Sequence, residues 1–107
     1  MSMKFVHISF RFEYIDHVER IMDEEGIGDY VCYPMVAGKD TDGKHFGTQV
    51  FPGSVTVCQA LVEDARIEAL LARLQAFRKQ KTAHTHMRVA VMSVEYILGS
   101  GDGLQEE

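Results

Sequence analysis

The apolar residues of this chain switch repeatedly between strand and helix periods, and few folds accept that order. Val6, Ile8, Phe10 and Phe12 alternate in period two across Met3–Phe12, which predicts a strand. Over Glu13–Glu25 the period lengthens. Ile15, Val18, Ile21 and Met22 fall at helical spacing, with Asp16, Glu19, Arg20, Asp23 and Glu24 on the other side. Gly26 is placed to stop that helix, because glycine accepts the left-handed cap conformation at little steric cost. Asp29–Ala37 returns to strand composition, and Pro34, lacking a backbone donor, puts this strand at a sheet edge or forces a bulge. Ser54–Val62 predicts a third strand. Glu63-Asp64 then leads into a second helix with Asp64 as its expected N-cap. Ile67, Leu70, Leu71, Leu74 and Phe77 form the strongest periodic stripe in the chain. Arg78-Lys79-Gln80-Lys81 closes that helix with cations near the negative end of its dipole. His86–Leu98, around Val89, Val91, Val94 and Ile97, predicts a fourth strand.

The resulting order is β-α-β, loop, β-α-β. Two such halves with right-handed crossovers give an α+β, ferredoxin-like βαββαβ fold: a four-stranded antiparallel sheet, strand order 4-1-3-2, with both helices on one face. The halves share a pattern and no sequence repeat. At 107 residues the chain fits one domain, expected over 1–98, with 99–107 too poor in apolar residues to be more than a flexible tail.

Two helices cover one face of a sheet. A wetted second face calls for polar residues at alternate positions, and several strands lack them. The third strand offers Val55, Val57 and Leu61 on one parity and Cys58, Ala60 and Val62 on the other. The fourth offers Val89 and Val91 against Ala90, Met92 and Val94, and Phe5 stands beside Val6 and Ile8 on the first. Leaving a second apolar face in water costs on the order of 25 cal/mol per Å². A homo-oligomer that packs sheet against sheet is therefore expected. His7, out of phase with Val6 and Ile8, is expected at that interface or paired with a polar neighbour.

A net charge of −5 argues against a nucleic-acid-binding module, which carries a basic stripe. No stretch reads as a membrane span or signal peptide, so the expected location is cytoplasmic, with no membrane insertion. Cys32 and Cys58 sit in apolar strand-like runs and are expected as buried reduced thiols, a disulfide or a metal role being the alternatives. Of the methionines, Met22, Met35 and Met92 stand at core-like positions, where filling is the usual role and copper handling the less usual one. No Ser-His-Asp set, Walker loop or telling carboxylate pair is present, which argues against an enzyme.

Function is expected in the polar, glycine-punctuated stretch between the second and third strands, Gly38 to Gly53. Ordinary hairpin connections are much shorter, and long loops on small domains are kept for recognition. Its acids Asp40 and Asp42 read as a cation site or as solubilising charge. His84 and His86, two apart, would face the same side of an extended segment. There they could share a divalent metal ion with a carboxylate or with His45; otherwise they are solvated loop histidines. Lys79, Lys81 and Arg88 read as an anion site for nucleotide, bicarbonate or phosphate, or as a helix-terminal charge cluster.

The chain resembles the PII-like family of the nitrogen regulatory protein PII superfamily. The resemblance rests on three stretches and spans about residues 3–98. One is the turn Glu25-Gly26-Ile27-Gly28-Asp29-Tyr30 with the strand ending Val36-Ala37-Gly38. Another is the long loop closing in Gly47-Thr48-Gln49-Val50-Phe51-Pro52-Gly53, and the third is Val62-Glu63-Asp64 opening the second helix. The resemblance implies a cytoplasmic homotrimer used in signal transduction and nitrogen regulation. It binds a small effector, often an adenine nucleotide, in clefts between subunits. The 38–53 segment corresponds to the T-loop, which reports occupancy to a transporter or enzyme. By position, Gly38, Lys39, Lys79, Lys81 and Arg88 would meet the effector, and Lys44, His45 and Phe46 the partner. The chain departs from the nucleotide-binding pattern. Asp40 replaces a second glycine, and Lys81-Thr82-Ala83-His84-Thr85-His86 replaces the glycine-rich turn before the last strand. Glycines in such turns let backbone N–H groups approach phosphate. Two further readings use the same fold: a metal-binding or metal-tolerance accessory on the trimer, and a dimeric enzyme such as a cofactor-poor monooxygenase. The enzyme needs a pocket with a base between sheet and helices, where this chain has Leu, Ile, Val and Phe.

Overall fold

The computed structural model describes residues 2–40, 43–46 and 54–99. The first strand, β1 (Met3–Arg11), sends Val6, Ile8 and Phe10 into the core on one parity. A single 3-10 turn leads into α1 (Ile15–Glu24), which buries Val18, Ile21 and Met22. The end of α1 is a Schellman motif. The Ile27 N–H donates to the Met22 carbonyl at 2.9 Å and the Gly26 N–H to that of Asp23 at 3.1 Å. Gly26 has φ +77°, as its place in the sequence predicts, and Ile27 and Met22 are both buried beneath the motif.

Strand β2 (Tyr30–Asp40) runs antiparallel to β4 (Val55–Glu63), with Tyr30 opposite Ala60, Cys32 opposite Cys58 and Tyr33 opposite Val57. The register then slips between Tyr33 and Val36. Pro34 sits in that irregularity, and its carbonyl accepts the Thr56 hydroxyl. The expected loop from Gly38 does not begin there. β2 continues to Asp40 and pairs with β3 (Gly43–Phe46), Ala37 facing Phe46 and Lys39 facing Lys44. The readings of Asp42 and of 47–53 lie outside the described residues, as does the tail beyond Gly99.

The second helix, α2 (Ile67–Gln80), turns Leu70, Leu74 and Phe77 inward, with Ile67 and Leu71 half-buried beside them. Asp64 is not its N-cap. It opens a 3-10 turn before the helix with no side-chain cap bond, and its carboxylate lies 3.7 Å from the Lys4 ammonium. The last strand, β5 (Arg88–Ser93), is shorter than expected because its partner ends: Lys4 faces Ser93, and the Val94 N–H donates to the Met3 carbonyl.

The sheet order is β3-β2-β4-β1-β5, all antiparallel. Strands β2-β4-β1-β5 keep the expected ferredoxin-like order, and β3 adds an edge beside β2. Between sheet and helices lies one core, including Ile8, Phe10, Val18, Met22, Cys58, Leu70, Leu74 and Phe77. Cys32 and Cys58 correct the reduced-thiol expectation. Opposite one another across β2 and β4, with Cα atoms 4.0 Å apart, they form a disulfide. Met92 is also not core: its parity on β5 turns it to the open face. There it joins Val31 and Tyr33, these three being 52%, 54% and 49% exposed, around Phe5, Val57 and Leu61. Among the described residues no helix is long and apolar enough to cross a membrane.

Candidate functional site

At one end of the open face, four strands converge on a recess of about 440 Å³. Strand β1 contributes His7 and Ser9, β2 contributes Gly38 and Lys39, β4 contributes Val55, and β5 contributes Arg88 with Ala90. The register explains the convergence. Ser9 faces Arg88 across β1 and β5, His7 faces Ala90, and the slip after Tyr33 brings Val36 opposite Val55. Lys39 and Arg88, 49 positions apart in the chain, thus line one hollow, and among the described residues no carboxylate stands on its wall. Neither makes an ion pair among the described residues. His7 Nδ1 lies 3.4 Å from the Gln59 amide nitrogen, the polar neighbour its out-of-phase position called for. With that amide donating, the other ring nitrogen remains a donor toward the hollow. Two cations with hydroxyl and imidazole donors have the chemistry to hold a small anion.

Of the expected effector residues, Gly38, Lys39 and Arg88 share this recess, whereas Lys79 and Lys81 stand exposed at the end of α2, away from it. A Cβ placed on Gly38 meets nothing within 4 Å, so glycine here keeps the hollow open without relieving a clash. The expected partner residues Lys44, His45 and Phe46 lie on β3, whose backbone pairs with Lys39, Gly38 and Ala37 in turn. The outer hairpin is therefore hydrogen-bonded to the very strand that carries the recess cation. Ser9 escaped the sequence reading. Its signal was a shared parity with His7, and its meaning depends on which strand lies alongside.

His84 and His86 do not form a common metal-binding face. The segment is a 3-10 turn, Thr82–His84, continued by a hydrogen-bonded turn, and not extended. His84 is buried, stacked on Phe77 with ring centroids 3.9 Å apart, with Tyr14 edge-on at 4.6 Å and Nδ1 2.7 Å from the Phe77 carbonyl. His86 uses both ring nitrogens. Nε2 accepts the Arg11 N–H at 2.8 Å and Nδ1 lies 2.7 Å from the Ala83 carbonyl, to which it donates. Burial holds the His86 imidazole below its usual pKa, and the nearby charge of Arg11 adds to that. Among the described residues no three His, Cys, Asp or Glu side chains gather as a metal site.

A second hollow, about 500 Å³, lies between α2 and β5 and is lined by Leu71, Gln75, Arg78, Met87 and Arg88. Arg78 there is a structural clamp. Its Nε and one terminal nitrogen donate to the Met87 and Thr85 carbonyls at 2.9 and 3.1 Å, and the other to the Gln75 side chain. Arg88 in the open-face recess makes no such clamp among the described residues.

No family model matches the chain, and no curated protein matches it in sequence. Solved structures do match in shape. CPII from Thiomonas intermedia K12, a structure bound to ADP and bicarbonate, superposes with a TM-score of 0.71 at 18% identity, covering 88% of this chain and 87% of its own. A putative PII-like signaling protein from Thermus thermophilus gives a TM-score of 0.68 at 15% identity, covering 88% of each chain. A DUF3240 family protein from Shewanella baltica OS155 gives 0.70 at 13% identity, covering 94% of this chain and 99% of that one. At such identities the likeness is one of fold: this chain has the fold of the PII-like proteins.

Proposed function

We propose that this protein is a divergent member of the PII-like superfamily and works as a non-enzymatic, cytoplasmic regulator. It binds a small anionic effector, an adenine nucleotide or bicarbonate, and signals through the 38–53 loop. The observation that carries this reading is the meeting of Lys39 and Arg88 in one recess that shows no carboxylate among its described residues, with β3 paired to the Lys39 strand. An anion drawn to the two cations pulls on β2, and β3 carries that displacement outward to a regulated protein, a transporter or enzyme. The open face supports the homotrimer. Val31, Tyr33 and Met92 are half exposed on it, and neighbouring copies that cover them would wall in the recess. CPII, bound to ADP and bicarbonate, supports the choice of ligands.

Titration calorimetry with ADP and with bicarbonate tests the reading. Hydrogen bonds to charged groups contribute about 1.5–3 kcal/mol each. Arg88→Gln and Lys39→Gln are therefore each expected to weaken binding by roughly ten- to a hundredfold, by the same conversion. Absence of binding by ADP, AMP and bicarbonate to the wild-type protein would contradict it.

A further inference from the structure

The Cys32–Cys58 disulfide lies on the strand that delivers Lys39, one pair before Tyr33–Val57, the last regular pairing ahead of the register break. Past Tyr33 the hold of β4 on β2 thins. Val36 pairs with Val55, the Thr56 hydroxyl reaches the Pro34 carbonyl, and nothing else in the ladder is regular. The two sulfurs are unequal. Cys58 is fully buried, whereas Cys32 is half-buried on β2, whose outer edge β3 covers from Ala37 onward. Cys32 is thus the less buried end of the bond, the one nearer to a reductant. The reduced form keeps its core, because a free thiol packs as a small apolar side chain.

We propose that Cys32–Cys58 is a thiol-reducible tether that sets the order of β2 and, through it, the position of Lys39 in the recess. The reductant is a dithiol. One of its thiolates attacks Cys32 Sγ, forming a mixed disulfide, and Cys58 Sγ leaves as a thiolate and takes a proton. The second thiol of the dithiol then displaces Cys32, which also takes a proton, and the dithiol ends as its own disulfide. Two electrons and two protons pass to the protein. In the oxidised form β2 is locked in register to Tyr33 and Lys39 is held over the recess. In the reduced form the strand from Tyr30 to Lys39 loosens while β1, β4 and β5 stay paired. The consequence for effector affinity rests on the function proposed above; the tether itself does not.

Amide hydrogen exchange read by mass spectrometry, on protein purified without reductant and on the same protein treated with dithiothreitol, tests the tether. The expected result on reduction is a loss of protection in residues 30–39 and in the β4 amides that bond to them, with β1 and β5 unchanged. Cys32→Ala should show that loss without reductant and no response to dithiothreitol, and Cys58→Ala checks the same point from the buried side. Equal exchange in the two states overturns the proposal. So do two titratable thiols that persist after treatment with oxidised dithiothreitol. ADP calorimetry on both states separates the two claims. Tighter binding by the oxidised form supports the link to Lys39. Equal binding with altered exchange overturns that link, and altered exchange with no ADP or bicarbonate binding in either state leaves the tether standing and removes the effector reading.

Discussion

His86 joins the start of the β5 arm to the end of β1 by accepting the Arg11 N–H and donating to Ala83. Those bonds need the neutral ring, since a protonated Nε2 has no lone pair to offer. Burial lowers its pKa below the usual value; Arg11 and His84 act in the same direction, and the Ala83 carbonyl and Glu13 oppose it. The unfolded ring binds a proton more readily than the folded one. Stability from this group is therefore present above about pH 6.5, the ordinary histidine value, and is lost as pH falls through the lower folded value. Denaturant titration should show the wild-type protein losing stability between pH 7 and pH 5 by more than His86→Gln does. Gly38→Val makes a second residue-scale prediction. With no atom within 4 Å of the new Cβ, folding stability should hold while ADP binding weakens, and an unchanged affinity would detach Gly38 from the recess. The sequence could not foresee either histidine's role. A spacing of two means a shared side in a strand, but residues 82–84 form a 3-10 turn and Phe77 and Tyr14 arrive from elsewhere to hold His84. The disulfide was equally hidden: Cys32 and Cys58 meet through one register of β2 on β4, and a slip of one residue would part them.

Helices and central strands were legible because burial dictates them. The stripe from Leu70 to Phe77 and the alternation from Val6 to Phe10 each face the same core. Strand β3 was not legible. Gly43-Lys44-His45-Phe46 has no apolar alternation, and the segment is a strand because it pairs with Ala37–Asp40 rather than because a face must be buried. The C-terminal run of β5 failed for the opposite reason. Val94 to Leu98 is apolar enough, yet the ladder with β1 ends where Lys4 faces Ser93, and among the described residues no other strand takes it up. The α1 terminus shows how one residue fixes an element's end. Gly26 holds φ +77°, and an added Cβ would lie 2.7 Å from an Arg66 guanidinium nitrogen, which bonds the Glu25 carbonyl. Arg66 is flexible and moves aside, so the cost of Gly26→Ala is mainly the left-handed backbone, about 1–2 kcal/mol. Chemical denaturation should register that loss, and an equal stability of the variant would contradict the motif.

At the scale of the molecule, the helices hide one side of the sheet and leave Phe5, Val31, Tyr33, Val57, Leu61 and Met92 on the other. The recess with Lys39 and Arg88 opens on that same side, so the surface that calls for a neighbouring copy is continuous with the one that calls for an anion. A charge placed in the patch should undo both. Tyr33→Glu, at a half-exposed site on the folded chain, is expected to leave circular dichroism unchanged, to yield monomer and to abolish ADP binding. Of all these tests, the mass of the untreated protein in solution bears most directly on the account. Light scattering at micromolar concentration should give three times the 12.1 kDa chain mass. A stable species at the single-chain mass would contradict the covered face and the walled recess together.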